Sequence, residues 1–261
     1  MDAIEESVQL IIDCWKMYVG RLPSGTLEHS EGVVAALGNV EFFILNLCLH
    51  DSPLVSLDDL RRRLGLATER AADCPFPWLF CLCEHWAVSQ WEAVVREYGL
   101  EPALPVTGMA ADRLKPPRRA LPDLAYRRVQ DDATARDLAE LNMHAYGLPL
   151  EMGACIGNLH LWQADSYGYV GYVDGQPVTC AATFPIHNTV YVAFVATHPD
   201  AQRQGYAEAV MRHAIEKGIE GTGLSRTTLH ATEAGFPLYL AMGYEATAHF
   251  RMLAQPPETG R

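Results

Sequence analysis

The sequence has 261 residues, 49% of them hydrophobic and 20% charged, so it can bury the cores of one large or two ordinary domains and is not of the disordered class. The net charge is −12, and the short basic runs 61–63 and 118–119 lack the clustering that a nucleic-acid surface requires, so we predict no nucleic-acid partner. Because the N-terminus is acidic and no apolar run approaches about 20 residues, we expect a cytoplasmic protein with no membrane partner.

The first 120 residues read as a mixture of helices and short strands. In chain order the predicted elements are a helix over 4–19, strands over 33–37 and 42–45, a helix over 56–64, a buried strand within 78–86 and a helix over 91–98. Three prolines among the charged residues of 115–122 disfavour both helix and strand. We therefore place a domain boundary there, between residues 1–120 and 121–261.

The second half alternates strands and helices in an α/β (α+β) order. In chain order the predicted elements are a strand over 124–129, helices over 134–145 and 151–159, strands over 167–173, 178–185 and 190–197, a helix over 205–217, a strand over 226–230, a helix over 236–242 and a strand over 246–253. Asp174-Gly175 predicts a hairpin turn between the first two of the three consecutive strands.

The seven cysteines are an odd number in a chain that needs no disulfides for stability, which favours free thiols in a reducing compartment. Cys74, Cys81, Cys83 and His85 carry side chains that could bind zinc. The Cys-x-Cys spacing is not typical of a zinc site, however, and no second pair follows. We predict that there is no metal site and that these cysteines are small core residues.

The loop after the strand over 190–197 carries the clearest chemical signal. A polar stretch leads into a helix that starts at Gly205-Tyr206-Ala207, so several backbone N–H groups should point into one concavity that suits a phosphate. Neither a Gly-Lys-Ser/Thr motif nor a dinucleotide glycine pattern follows, which disfavours nucleoside triphosphates and nicotinamide cofactors. The alternative is an ordinary strand-loop-helix connection with one capping glycine.

This loop and the order of elements resemble the GNAT superfamily of N-acetyltransferases. Residues 202–207, Gln-Arg-Gln-Gly-Tyr-Ala, match the phosphate-loop pattern Gln/Arg-x-x-Gly-x-Gly/Ala of that family, and residues 229–244 resemble its strand and helix that end in Tyr-x-x-x-Gly-Phe/Tyr. The resemblance covers about 124–253 and implies a GNAT fold, a mixed and mostly antiparallel sheet flanked by helices. Residues 1–120 resemble, more loosely, the degenerate N-terminal GNAT-like half of tandem GNAT proteins.

The resemblance implies that acetyl-CoA is the acyl donor and that its site lies in 121–261. Main-chain groups of the strand end would face the pantetheine arm, and amides of the loop would hold the pyrophosphate. The cofactor-binding residues predicted in this way are Val195, Ala196, Thr197, Gln202, Arg203, Gln204, Gly205, Tyr206, Ala207 and Thr232.

Acyl transfer to an amine also needs a polarised carbonyl, a base and an acid. The resemblance implies that Tyr239 is the general acid, since its phenol is protonated at neutral pH. The alternative is that Tyr239 is an aromatic core residue of its helix. The backbone N–H of Val195 would polarise the carbonyl. Family members often place a Glu on the strand before the loop, and this strand has no carboxylate, so His230 is the candidate base. The alternatives are a water relay or the side chains of His198, Glu233 and Glu151.

We therefore predict an N-acetyltransferase that transfers an acetyl group from acetyl-CoA to a primary amine by direct attack in a ternary complex. The acceptor is a small-molecule or protein amine, for which Tyr146, Glu151 and Trp162 are candidate contacts. The alternatives are a non-catalytic acyl-CoA-binding or regulatory GNAT-like protein, a longer acyl donor, and a hydroxyl acceptor. The prediction includes a homodimer as an option. The first half would pack against the second or shape the acceptor pocket.

Overall fold

The structure, a computed structural model, describes residues 1–256, which form two compact units. The first unit contains residues 1–108, 231–234 and the described residues from Ala246 onward, and the second contains residues 109–230 and 235–245. The proline-rich segment 115–122 thus lies within the second unit and not at its start. This division by contacts differs from the boundary expected at 120/121, and the assignment of 1–120 and 121–261 as domains stays a prediction.

Both units contain helices and strands. Up to residue 111 they are α1 (Ala3–Gly20), β1 (Thr26–Ser30), β2 (Val33–Leu37), β3 (Asn46–His50), α2 (Leu57–Arg70), β4 (Leu79–Cys83), α3 (Trp91–Glu97) and β5 (Glu101–Ala111). After the proline-rich segment they are β6 (Ala125–Arg128), α4 (Asp132–Tyr146), β7 (Tyr167–Val173), β8 (Gln176–Ile186), β9 (Thr189–Thr197), α5 (Tyr206–Thr222), β10 (Thr227–Thr232), α6 (Phe236–Met242) and β11 (Glu245–Ala254).

In the first unit, β2 pairs antiparallel with both β1 and β3, β3 pairs parallel with β4, and β4 pairs antiparallel with the far end of β11. Every residue of β2, β3 and β4 is buried. Leu60 and Leu64 of α2 pack with Phe80 of β4 in the core of this unit. The last strand of the chain therefore belongs to the sheet that the first residues build, which is why the contact boundary departs from the predicted one.

In the second unit, β6, β7, β8 and β9 form consecutive antiparallel pairs, and β10 pairs parallel with β9. Helices α4 and α5 both pack against β8 and β9. The side chain of Asp131 caps α4 by accepting the Thr134 N–H at 2.8 Å. The predicted fold class, a mixed and mostly antiparallel sheet flanked by helices, is confirmed in this unit.

Several element predictions need correction. The run 42–45 is a 3₁₀ turn (Phe43–Leu45) and the strand begins at Asn46, while the helix expected over 151–159 is a 3₁₀ helix (Leu150–Cys155). Strand β1 is not predicted from the sequence, because its five residues are all exposed and show no alternation. Strand β5 is not predicted either, because prolines at 102 and 105 argue against a strand. Helix α2 continues to Arg70, beyond the expected end at 64, because Gly65 does not interrupt it.

No helix within residues 1–256 is long and apolar enough to cross a membrane. Across the same residues, no group of three or more His, Cys, Asp and Glu side chains is arranged to hold a metal ion. Cys81 and Cys83 are buried on β4, and burial raises the pKa of the Cys83 thiol to about 11.

Candidate functional site

A bulge interrupts β9 three residues before its end. Cys180 of β8 faces Ala196 and Ala182 faces Ala193, so two residues of β9 oppose one residue of β8. Phe194 lies in this bulge with φ at +52°, a left-handed conformation that bulky residues rarely adopt. Such a bulge turns the backbone of its strand and re-aims the groups that follow. Val195 is the second residue of the bulge and Ala196 and Thr197 follow it; all three were predicted to face the acyl donor.

The parallel pairing of β9 with β10 stops before this bulge. The paired register joins Val190, Tyr191 and Val192 to Thr227, Thr228 and Leu229, and β9 then continues to Thr197. The residues of β9 after Val192 therefore lie beyond the pairs that β9 forms with β10. A main chain in this situation can donate to a ligand, because its N–H and C=O groups are not all committed to the sheet.

The loop after β9 turns into α5 through two left-handed residues, Arg203 with φ at +62° and Gly205 with φ at +87°. Gly205 is the N-cap of α5, and no side chain caps the first-turn N–H groups. Helix α5 has 17 residues, so its N-terminus carries the partial positive charge of a full helix dipole. Uncapped amides at the N-terminus of a helix are of the kind that binds a phosphate. His198 starts the loop and accepts the Asp200 N–H through Nδ1 at 3.3 Å, which is a turn-forming role.

Arg119, from the proline-rich segment, lies beside this loop. A Cβ atom placed on Gly205 would lie 3.3 Å from Nη2 of Arg119 and 3.4 Å from Cδ of Pro122. Within residues 1–256 the Arg119 guanidinium has neither a hydrogen bond nor an ion pair. Arg212, further along α5, is instead paired with Glu208 at 2.8 Å and donates to the Lys115 carbonyl at 2.7 Å. The proline-rich segment is thus held on α5, and it places the Arg119 guanidinium beside the N-terminus of this helix. The sequence does not predict this position of Arg119.

Tyr239 lies on α6 with its side chain buried and only 8% exposed. Gly235, one turn earlier, makes room for the ring, because a Cβ there would lie 2.7 Å from Cε2 of Tyr239. Burial raises the pKa of Tyr239, and the neighbouring Tyr146 phenol raises it further. The Tyr239 hydroxyl therefore keeps its proton at neutral pH, as a general acid must.

Tyr146, at the end of α4, is 47% exposed, yet desolvation raises the pKa of its phenol. The Tyr146 phenol in turn contributes to the raised pKa of Tyr239. Trp162, by contrast, is buried, donates to the Ile156 carbonyl at 2.7 Å and packs on Phe194, so its contacts are those of a core residue. Glu151 is exposed.

His230, the predicted base, lies on β10 with Nδ1 2.9 Å from the Tyr191 hydroxyl. If Nδ1 donates its proton to the Tyr191 oxygen, Nε2 carries the lone pair and can accept a proton. In the other tautomer Nε2 already carries a hydrogen and cannot act as a base. Thr232, the last residue of β10, belongs by its contacts to the first unit, as does Glu233, so neither is grouped with the other predicted site residues.

Residues 135–244 match the model of the acetyltransferase (GNAT) family. A GCN5-related N-acetyltransferase from Kribbella flavida is similar in structure, with a TM-score of 0.70 at 20% identity over 95% of each chain. One from Sphaerobacter thermophilus has a TM-score of 0.60 at 13% identity, covering 86% of this chain and 78% of that chain. A tandem GNAT protein from the clavulanic acid biosynthesis pathway has a TM-score of 0.56 at 12% identity, covering 99% of this chain and 98% of that chain.

No curated protein sequence matches the chain. Residues 135–244 nevertheless form a GNAT acetyltransferase domain, and this segment holds the β9 bulge, the loop and α6. The structural likenesses show that the whole chain has the fold of tandem GNAT proteins. The resemblance inferred from the two sequence blocks is thereby confirmed, while the roles of the individual site residues stay predictions.

Proposed function

We propose that this protein is an acetyl-CoA-dependent N-acetyltransferase that acetylates a primary amine by direct attack in a ternary complex. The observation that carries the proposal is a bulged β9 followed by a left-handed loop at the N-terminus of α5, all within the segment that matches the GNAT family. The acceptor is a small-molecule or protein amine, and the net charge of −12 favours the approach of a cation.

The residues of the loop fit the diphosphate of acetyl-CoA. The amides of 203–207 supply hydrogen-bond donors, and the left-handed Gly205 lets an anion approach without a side chain in the way. Arg119 adds a positive charge beside these amides. The chain carries a net charge of −12, yet Arg119 has no carboxylate partner among residues 1–256. Its position beside the start of α5 therefore supports an anion site there.

Acetyl-CoA supplies an activated acyl group whose C–S bond breaks as the new C–N bond forms. The Val195 N–H donates to the carbonyl oxygen, on which negative charge develops. The Nε2 atom of His230 accepts the proton that the attacking amine loses, provided that Nδ1–H donates to Tyr191. Tyr239 gives its proton to the departing sulfur. The His230 imidazolium then releases its proton to solvent and the Tyr239 phenolate takes up a proton from solvent, so the protein ends the cycle unchanged.

Calorimetric titration with acetyl-CoA tests the cofactor site, with Gly205→Glu as the variant and Gly223→Glu as its control. Both glycines are left-handed and lie at opposite ends of α5, with φ at +87° and +74°, so backbone strain is matched. The new carboxylate at 205 would occupy the anion site and pair with Arg119, whereas a Cβ at 223 meets nothing within 4 Å. We expect Gly205→Glu to abolish binding and Gly223→Glu to retain it. A wild-type protein that does not bind acetyl-CoA would refute the proposal.

A second candidate function is a non-catalytic acyl-CoA-binding protein, favoured by the lack of any carboxylate on β9. Thiol release from acetyl-CoA, measured with a panel of primary amines, distinguishes the two. Release that depends on the amine supports the enzyme. Tight binding without release supports the binding protein.

A further inference from the structure

The bulge of β9 is contacted from the neighbouring strand by a buried thiol. Cys180 of β8 is fully buried, and its Sγ lies 3.4 Å from the carbonyl oxygen of Phe194. The strand register also pairs Cys180 with Ala196. Cys180 therefore lies opposite the backbone on both sides of Val195. A thiol is a weak hydrogen-bond donor, and at 3.4 Å its sulfur lies within reach of this carbonyl.

Asn142 of α4 directs this thiol. Its side chain is 1% exposed, and Nδ2 donates both to the Leu138 carbonyl at 2.9 Å and to Sγ of Cys180 at 3.4 Å. Because Asn142 donates to the sulfur, the thiol hydrogen is left to donate to a carbonyl. Phe194 O at 3.4 Å is nearer to Sγ than Leu138 O at 3.8 Å. Burial raises the pKa of Cys180 to about 12, so the thiol keeps this hydrogen at neutral pH.

We propose that Asn142 and Cys180 are positioning residues that hold Phe194 in its left-handed conformation and thereby fix the direction of the Val195 N–H. A strained residue persists only where its surroundings hold it. The ring of Phe194 packs against Trp162 and Phe184, at 5.7 and 6.2 Å between ring centroids, and these contacts act on the side chain. The Cys180 contact acts on the carbonyl itself.

The catalytic part of this inference rests on the proposed function, in which the Val195 N–H polarises the thioester carbonyl. A displaced amide would still leave the phosphate loop intact. Loss of the Cys180 hydrogen should therefore weaken carbonyl polarisation and turnover without weakening the binding of acetyl-CoA. A merely structural role of Cys180 would change thermal stability alone.

The variants Cys180→Ala and Cys180→Ser test this inference, with Cys155→Ala as the control. Serine keeps a donor at the same place, whereas alanine removes it. Cys155 is a half-buried thiol of the same unit, and its contact is with the Met152 carbonyl, in its own 3₁₀ helix. The readouts are calorimetric Kd for acetyl-CoA, the infrared band of its ¹³C-labelled thioester carbonyl, kcat and a crystal structure of each variant.

We expect Cys180→Ala to keep its Kd near the wild-type value, to return the carbonyl band toward its position in water, and to lose roughly tenfold or more in kcat, a part of what a whole oxyanion donor contributes. Cys180→Ser should restore most of the band shift and of kcat. An unchanged band in Cys180→Ala, or a bulge with Phe194 still at positive φ in its crystal structure, would overturn the inference. If the wild-type protein fails to bind acetyl-CoA, the proposed function fails, and the crystal structures still decide whether Cys180 holds the bulge.

Discussion

The phenol of Tyr239 is the group that the proposed mechanism needs in its protonated form. For Tyr239→Phe we expect kcat to fall by roughly 10² to 10⁴, the usual contribution of a positioned acid. The Kd for acetyl-CoA should stay close to that of the wild-type protein, because phenylalanine keeps the ring that fills the space over Gly235. Steady-state thiol release and calorimetry measure the two quantities separately.

Tyr244→Phe is the matched control for that change. Tyr244 is also buried, its ring lies 6.0 Å from that of Tyr239, and the mechanism gives it no role. Equal losses of kcat in the two variants would mean that removing any hydroxyl from this aromatic pair disturbs the site. Such a result would contradict the assignment of Tyr239 as the acid.

The guanidinium of Arg119 should contribute to the affinity for the diphosphate. The residue is exposed, so screening by solvent limits its contribution to about 1 kcal/mol, which corresponds to a rise of roughly fivefold in Kd for Arg119→Ala. The difference between variant and wild type should shrink as salt is added. Arg118→Ala removes the same charge from the neighbouring position. A rise as large in Arg118→Ala would show a general charge effect and not a specific contact.

Single residues of the site differ in how far the sequence could predict them. Gln202 to Ala207 are contiguous, so their pattern is visible in one line of sequence, and the structure shows the expected loop and helix start. Arg119 lies more than 80 positions from Gly205 in the chain, and only folding brings it there. The positive φ of Phe194 could not be predicted either, because nothing in the local sequence favours a left-handed phenylalanine.

At the scale of the element, α5 packs closely against the sheet at Gly218, where no side chain separates the two. A Cβ on Gly218 would lie 2.6 Å from Oγ1 of Thr183 and 3.0 Å from Cγ1 of Val190, so Gly218→Ala must displace the helix or these side chains. Overpacking of this kind costs about 1–3 kcal/mol, and alanine returns up to about 1 kcal/mol through helix propensity. We therefore expect a net loss in the free energy of unfolding, measured by urea titration.

Gly65→Ala in α2 is the control, for which we expect the free energy of unfolding to rise and not to fall. There the nearest atom to a new Cβ is the Tyr98 hydroxyl at 3.6 Å, an ordinary contact. Alanine should stabilise the helix by about 0.5–1 kcal/mol. If both variants lose stability, the close approach at Gly218 does not explain its effect.

The elements that the sequence predicted well are those whose pattern is set by their own residues. Strand β7 and helix α6 lie at the predicted positions, because aromatic and β-branched residues before the Asp174-Gly175 turn mark the strand and flanking glycines mark the helix. Strand β5 contains two prolines and Gly108, so its strand conformation depends on its partners in the fold. The bulge of β9 belongs to the same category, since it is held by Cys180 from the next strand.

At the scale of the whole molecule, each of the two units is built from segments that are separated in the sequence. Residues 250–253 pair with Phe80 to Cys83 in the first unit, although about 170 positions of the sequence separate the two segments. In the second unit the Thr227 hydroxyl donates to the Ala111 carbonyl at 3.2 Å, and Arg226 forms an ion pair with Asp112. A fragment 121–261 would lose those partners and would carry an apolar strand without its neighbour. A fragment 109–245 would keep the second unit complete.

We therefore expect 109–245 to be soluble and to unfold cooperatively, whereas 121–261 should aggregate through its unpaired strand. Size-exclusion chromatography and circular dichroism of the two fragments, expressed in parallel, measure this difference. Coexpression of 1–120 with 121–261 as separate chains should rescue the second fragment, because Phe80 to Cys83 then become available to its last strand. A monomeric, cooperatively folding 121–261 beside an aggregated 109–245 would show that the proline-rich segment, and not the contact division, marks the folding boundary.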